Sequence, residues 1–105
     1  MDKKSLEIAR QLKKDIEKDL NIIDMRIFGS RARDDFDEYS DLDIYLELEK
    51  NNYEIEDEIF NIVWKIGLEN NLVITTIIFT IDELENGPMK YSPIYRNIMR
   101  EGVLV

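Results

Sequence analysis

The sequence predicts an α/β (α+β) fold, in which a small mixed β-sheet of three to four strands is flanked by helices. Helical and strand patterns alternate along the 105 residues, which is typical of a sheet covered by helices. Residues 41–48 alternate polar and apolar side chains, as in a half-buried strand. Residues 72–79 are almost wholly apolar and rich in β-branched side chains, as in a central strand. We predict a single domain over residues 1–105.

The elements before residue 41 follow from periodicity. Apolar residues repeat every fourth position from Ile8 to Leu20, which predicts a helix over residues 5–20. Residues 22–28 have the composition of a strand, which ends at Gly29. We expect a short helix to begin at Ser30 and extend to Arg33.

The elements after residue 48 are bounded by capping residues. A second long helix is predicted from residue 52 or 53 to Leu68, and Trp64 beside its apolar stripe is expected in the core. Residues 80–83 match a capping box, followed by a short helix that Gly87-Pro88 ends. Ser92-Pro93 begins a last helix, which runs to residue 100 or 101, before a short edge strand at 103–105.

Composition excludes several kinds of chemistry. The chain has no cysteine and no histidine, which removes disulfides, thiolate zinc sites and serine–histidine triads. Catalysis would therefore use carboxylates, hydroxyls, backbone groups, lysine, arginine or tyrosine. No apolar run approaches the ~18–20 residues of a membrane helix, and the N-terminus has no apolar signal-peptide core. We therefore predict a cytoplasmic protein with no membrane partner.

The charges are distributed unevenly. The net charge is −9, from 23 acidic and 14 basic residues, which argues against direct binding of duplex nucleic acid. Residues 1–33 carry nine bases and six acids, whereas residues 34–58 carry twelve acids and one base. An acidic run is ordinarily solvated surface, so the informative acids are those with a specific spacing.

Asp41 and Asp43 have the spacing of a metal site. Two residues apart on a strand, their side chains point to one face, with Cα atoms ~6.5–7 Å apart. Two unit charges ~5 Å apart repel by about 3 kcal/mol at an effective dielectric of ~20. A cation between them would remove that cost, and ligation by oxygen alone suits Mg²⁺. The alternative interpretation is an acidic strand face without metal.

Gly29 and Ser30 have the chemistry of a phosphate-binding turn. Glycine permits close approach of the backbone, and N–H groups at the start of a helix bind phosphate. Taken alone, Ser30 is better explained as a plain N-cap. Beside a metal-binding strand, however, the turn completes a minimal site for phosphoryl transfer.

These residues together resemble a known signature. Gly29-Ser30, ten intervening residues and Asp41-Leu42-Asp43 match the Gly-Ser-x₁₀-Asp-x-Asp pattern of the minimal nucleotidyltransferase (MNT) family, in the DNA polymerase β-like nucleotidyltransferase superfamily. The sequences Gly-Ser-Arg-Ala-Arg and Ser-Asp-Leu-Asp are also typical of small MNT proteins. The resemblance implies a nucleotidyltransferase-like mixed sheet flanked by helices.

The resemblance also implies function. It makes Asp41 and Asp43 the catalytic residues and ligands of Mg²⁺, and Gly29 and Ser30 binding residues for ATP or another nucleoside triphosphate. Many such short proteins are antitoxins that pair with a HEPN-type toxin, a helical RNase, and adenylylate it on a tyrosine. The alternatives are a catalytically weak module that silences its partner by stoichiometric binding, and a transferase for a small-molecule hydroxyl.

One departure from the superfamily pattern bears on activity. A third acid usually stands on a following strand, but residues 72–79 contain none. Thr75 or Thr76 occupies that position, and the sequence does not choose between them. Glu47 shares the face of Asp41 and Asp43, but it lies ~13 Å of strand away from Asp41.

Arginine and tyrosine complete the candidate set. Arg31 and Arg33 carry donors that suit a triphosphate, or they pair with the acids of the 34–37 segment. We include Arg33 among the predicted nucleotide-binding residues. Tyr45 lies on the polar face of its strand, where packing is favoured over stacking on a base.

Overall fold

Helices and strands alternate in the computed structural model, which describes all 105 residues. The α-helices are α1 (Lys3–Ile16), α2 (Tyr53–Glu69), α3 (Ile81–Glu85) and α4 (Pro93–Glu101), with a 3₁₀ turn at Met89–Tyr91. The strands are β1 (Ile22–Phe28), β2 (Leu42–Leu48), β3 (Ile74–Thr80) and β4 (Val103–Leu104). None of the helices is long and apolar enough to cross a membrane.

The four strands form one mixed sheet, which confirms the predicted fold class. Their order is β3-β2-β1-β4. Strand β1 is antiparallel to both β2 and β4, whereas β2 and β3 are parallel and are joined by the crossover helix α2. Asp43 pairs with Phe28 on one side and with Thr75 on the other. The C-terminal end of β1 and the N-terminal ends of β2 and β3 therefore lie side by side.

Two apolar layers cover the sheet. The larger core lies between one face and the helices α1 and α2, with Leu12, Ile27 and Ile44 among its fully buried side chains. The smaller core lies on the opposite face, where Tyr45 and Phe79 pack against Leu84 of α3 and Ile98 of α4. This second layer covers only part of its face. Thr75 is exposed and Asp43 is half-buried in the part that it leaves open. The uncovered part contains the predicted site.

Capping explains where the helices begin. The side chain of Asp2 accepts a hydrogen bond from the backbone N–H of Ser5, so α1 begins at Lys3, two residues before the predicted start. Thr80 and Glu83 form the predicted capping box of α3. Ser92 caps α4, with Pro93 in its first turn, as predicted.

Three predictions from the sequence are wrong. Helix α1 ends at Ile16 instead of Leu20, because residues 17–19 form a turn. Residues 30–33 form a turn and no helix. The chain cannot continue as a helix beyond them, because Asp34 has a φ of 61°, in the left-handed region. Trp64 is not a core residue: its side chain is 62% exposed, on the side of α2 that faces away from the core.

Candidate active site

The turn at Gly29 packs directly against Asp43. A Cβ built on Gly29 would lie 2.2 Å from Oδ2 of Asp43, which is far inside van der Waals contact. The φ of Gly29 is also +73°, in the left-handed region that favours glycine. The φ strains any other residue here, and a Cβ would in addition displace the Asp43 carboxylate. The backbone turn is therefore in contact with the predicted metal-binding side chain.

Thr75 lies on the other side of the same carboxylate. It is the register partner of Asp43 on the adjacent parallel strand, and its hydroxyl donates a hydrogen bond to Oδ1 of Asp43. Thr76 points to the opposite face, where it lines a groove beside α2. The sequence alone did not decide whether Thr75 or Thr76 lies next to the Asp43 carboxylate. The structure shows that it is Thr75.

Asp41 and Ser30 present free polar groups at this end of the sheet. The carboxylate of Asp41 is exposed and makes neither an ion pair nor a hydrogen bond within the chain. The hydroxyl of Ser30 likewise has no partner in the chain, whereas its carbonyl accepts from the N–H of Asp35. Both side chains are therefore available to a ligand.

Arg31 holds the loop that joins these residues. Its Nε and Nη2 atoms donate to the carbonyl of Ser40 at 3.0 and 2.9 Å, and its Nη1 donates to the hydroxyl of Ser5 at 3.0 Å. The guanidinium also lies 3.7 Å from Asp2 and 4.7 Å above the ring of Phe36. The side chain is buried, so Arg31 is a structural clamp that fixes the residue preceding Asp41.

The clamp extends to the start of α1. Asp2 accepts hydrogen bonds from the hydroxyl and the backbone N–H of Ser5, which lower the pKa of its carboxyl, with a smaller contribution from Arg31. Arg31 was a candidate phosphate ligand in the sequence, but its donors are directed into the protein. The sequence could not show this, because the contacts of Arg31 with Ser40 and Ser5 depend on how the chain folds.

Arg33 lies on the surface of the same loop. Its Nε atom donates to Asp35 at 3.2 Å, and its Nη1 atom donates to Glu101 of α4 at 3.1 Å. The hydrogen bond that Arg33 donates to Asp35 is the main reason that the pKa of Arg33 is raised. Arg33 would have to exchange these exposed partners for a phosphate, so its role as a nucleotide ligand stays a prediction.

Tyr45 and Glu47 lie away from the site. Tyr45 is fully buried against Phe79 and Tyr95, with ring centroids 5.9 and 6.0 Å apart, so it packs and cannot stack on a base. Its hydroxyl donates to Glu47 at 3.4 Å. Burial raises the pKa of Glu47, and burial together with the Glu47 charge raises the pKa of Tyr45. Glu47 pairs in register with Phe79, four residues along β3 from Thr75, and does not replace a third acid.

The donor set fits a single Mg²⁺ ion bound together with phosphates. No three carboxylates of the chain converge on one point. Asp41 and Asp43 provide two carboxylates, and Mg²⁺ typically uses one or two of these, with substrate phosphates and water completing its shell. The space that a Cβ on Gly29 would fill lies directly beside Asp43. Asp41 and Asp43 would hold the ion, and Gly29 and Ser30 would hold the phosphates.

Comparison with known proteins identifies the class. The family model described as a nucleotidyltransferase domain matches residues 9–105. Among solved structures, the fold is similar to that of a Sulfolobus solfataricus protein described provisionally as a nucleotidyltransferase, with a TM-score of 0.62 and 19% identity. That match covers 96% of this chain and 78% of the other. No curated protein matches the chain.

The chain belongs to the nucleotidyltransferase domain family, because the family model spans nearly all of it. The site described above lies within the matched residues. Family and fold together support a transferase that moves a nucleotidyl group.

Proposed function

We propose that the chain is a Mg²⁺-dependent nucleotidyltransferase that transfers AMP from ATP to a protein hydroxyl. The acceptor is a tyrosine of a HEPN-type toxin, so the protein acts as an antitoxin. The observation that carries the proposal is the packing of the Gly29 turn against the Asp43 carboxylate. This contact supports the proposal, because nucleotidyl transfer requires a phosphate-binding backbone beside the metal-binding carboxylates.

The reaction exchanges the phosphoanhydride bond between the α- and β-phosphates of ATP for a phosphodiester bond to the acceptor. The acceptor oxygen attacks the α-phosphorus of ATP, the bond to the β-phosphate breaks, and pyrophosphate leaves while the hydroxyl proton passes to solvent. When bound, Mg²⁺ supplies charge neutralisation at the phosphate oxygens. The backbone at Gly29 and the hydroxyl of Ser30 orient the triphosphate, and the clamp at Arg31 keeps the two halves of the site in place. Positioning and charge thus contribute more than a strong base.

The experiment uses the purified chain, ATP labelled in the α-phosphate, Mg²⁺ and a purified HEPN-type protein. We expect one AMP mass on a tyrosine of that protein, detected by intact mass and fragment spectra. The variant with both Asp41→Asn and Asp43→Asn is the matched control and leaves the partner unmodified. Label on a small-molecule hydroxyl, with the partner protein unmodified, would contradict the choice of acceptor.

A second function is favoured by one observation. Thr75, which carries no charge, lies beside Asp43, on the strand where the resemblance to the superfamily implies a third acid. A chain with this site would bind its partner and silence it by stoichiometric contact, with little or no transfer. The two functions separate in the same experiment, because in the second one the partner loses its RNase activity without gaining mass.

A further inference from the structure

An apolar groove lies between α2 and the outer edge of β3, on the face of the sheet opposite to the side chains of Thr75 and Asp43. Its cavity volume is about 520 Å³, and its lining includes the side chains of Phe60, Trp64, Leu68, Val73, Ile74 and Thr76. Phe60, Trp64, Leu68 and Val73 are between 61% and 66% exposed. The rings of Phe60 and Trp64 stack at 6.3 Å with an angle of 15° between them. Large apolar side chains exposed side by side mark interaction surfaces.

The groove lies against an open sheet edge. Strand β3 is the last strand on its side of the sheet, so the outer N–H and C=O groups of Ile74–Thr80 have no partner strand. No loop or turn forms a backbone hydrogen bond to them. An extended polypeptide pairing with this edge would place alternate side chains over the groove, whereas a helix would use the groove and leave the edge unpaired.

Charge indicates the chemistry of the occupant. A second hollow of about 440 Å³ continues the groove past Phe60 and Thr76, and the only charged side chains that line the two are Glu56 and Asp57. Helix α2 carries five acidic residues and one basic residue. A second copy of the chain at this face would bring like charges together, while a basic segment would neutralise them.

We propose that this α2–β3 groove binds an extended segment of a partner protein. The segment pairs with the β3 edge, places apolar side chains against Phe60 and Trp64, and carries Lys or Arg opposite Glu56 and Asp57. Thr75 lies between the groove residues Ile74 and Thr76 and contacts Asp43. A partner on this edge is therefore next to the candidate catalytic carboxylate; its role as the acceptor rests on the proposed function, whereas its binding does not.

The test is a selection of phage-displayed random linear peptides on the full chain, without nucleotide or Mg²⁺. Counter-selection uses the variant Leu68→Lys/Val73→Lys, which blocks the groove with charge at two exposed positions. The matched control is Leu104→Lys on β4 at the opposite sheet edge, where the leucine is 64% exposed. We expect enriched peptides with alternating apolar residues and Lys or Arg, which bind the parent and Leu104→Lys but not the blocked variant.

Trp64, the only tryptophan of the chain, reports occupancy directly. Titration of an enriched peptide that lacks tryptophan is expected to shift the emission of Trp64 to shorter wavelength. Val73→Lys is expected to lower the affinity for that peptide about tenfold or more, as for the loss of an anchor contact. Asp57→Asn is expected to weaken binding by about two- to fivefold, as for a surface ion pair. Glu54→Gln, on the same helix but outside the groove, is the control and leaves affinity unchanged. If the double variant fails to fold, Val73→Lys and Asp57→Asn still decide.

Several outcomes would overturn the proposal. The first is a selection in which no peptide is enriched over the counter-selection, and the second is enrichment of acidic peptides. The third is an equal loss of peptide binding in Leu104→Lys and Val73→Lys. Concentration-dependent Trp64 emission together with dimers in sedimentation would assign the groove to a second copy of the chain. Because binding is measured without ATP or metal, absence of AMP transfer would contradict the proposed function and leave this result unchanged.

Discussion

Thr75 and Asp43 are register partners on parallel strands, and the threonine hydroxyl donates to the Oδ1 atom of the aspartate. Thr75 therefore occupies the position from which a further carboxylate would reach the site. Its hydroxyl fixes the rotamer of Asp43 but adds no charge, so the site holds two carboxylates where three would favour two metal ions.

Thr75→Asp is expected to raise AMP transfer, by up to about 10²-fold, the lower end of what a positioned base contributes. Thr76→Asp is the matched control, because strand alternation turns it towards α2. It is expected to leave transfer unchanged and to lower the free energy of unfolding by about 1–3 kcal/mol. Single-turnover transfer and urea denaturation measure the two effects, and an equal gain from both variants would contradict the assignment of Thr75.

Asp41→Asn and Asp43→Asn are each expected to abolish binding of Mg²⁺–ATP while the fold persists. Without metal, either change removes repulsion between the two carboxylates, so the melting temperature is expected to stay equal or rise slightly. Isothermal titration calorimetry and thermal unfolding in EDTA measure both quantities. A lower melting temperature with unchanged nucleotide affinity would make these residues structural acids.

Ser30→Ala is expected to weaken Mg²⁺–ATP binding by about 1–3 kcal/mol, as for the loss of a hydrogen bond to a charged group. Stability is expected to be unaffected, because the hydroxyl has no partner within the chain. Calorimetry of nucleotide binding is the measurement. An affinity equal to that of the parent would remove Ser30 from the phosphate-binding turn.

Arg31→Met and Arg33→Met are expected to affect different properties, the first stability and the second nucleotide affinity. Arg31→Met breaks hydrogen bonds to Ser40 and Ser5, so it is expected to lower the free energy of unfolding by about 1–3 kcal/mol. Arg33→Met removes only exposed ion pairs and is expected to leave the free energy of unfolding nearly unchanged. If Arg33 binds the triphosphate, its variant loses nucleotide affinity alone; unchanged affinity would remove it from the site.

Glu47→Gln is expected to stabilise the protein at neutral pH. Burial raises the pKa of Glu47, so the folded state holds its proton more tightly than the unfolded state does. The free energy of unfolding therefore falls as pH rises from the ordinary glutamate pKa through the raised value, and this loss persists above it. Denaturation between pH 3 and 8 is expected to show the gain of the variant at high pH and its disappearance in acid. A gain that persists below the ordinary pKa would contradict this explanation.

Local pattern predicted the elements well, because alternation, apolar spacing and capping residues act within a few positions of the chain. It could not predict features that depend on a second layer or on register. The period of β2 shows which face Tyr45 occupies, but only the return of α3 and α4 over that face buries it. The spacing of apolar residues in α2 likewise does not show how much of the helix surface packs against the sheet. For this reason Trp64 was wrongly predicted to lie in the core.

The candidate site divides in the same way. The spacing of Gly29, Ser30, Asp41 and Asp43 could be read from the sequence, but the contact between Gly29 and Asp43 requires the register between β1 and β2. The choice of Thr75 over Thr76 requires the register between β2 and β3. The role of Arg31 requires the course of the loop that brings the Ser40 carbonyl to its guanidinium.

The contact between Asp43 and Thr75 spans 32 residues of sequence, because α2 separates the two strands that carry them. Such a contact forms only after the intervening chain has closed, at a cost in chain entropy that slows folding. A nucleotide that needs the complete site therefore binds only molecules in which these two strands are already paired. We expect saturating Mg²⁺–ATP to leave the refolding rate nearly unchanged and to slow unfolding. Bound nucleotide would then stabilise the protein chiefly by slowing the separation of the parallel strands β2 and β3.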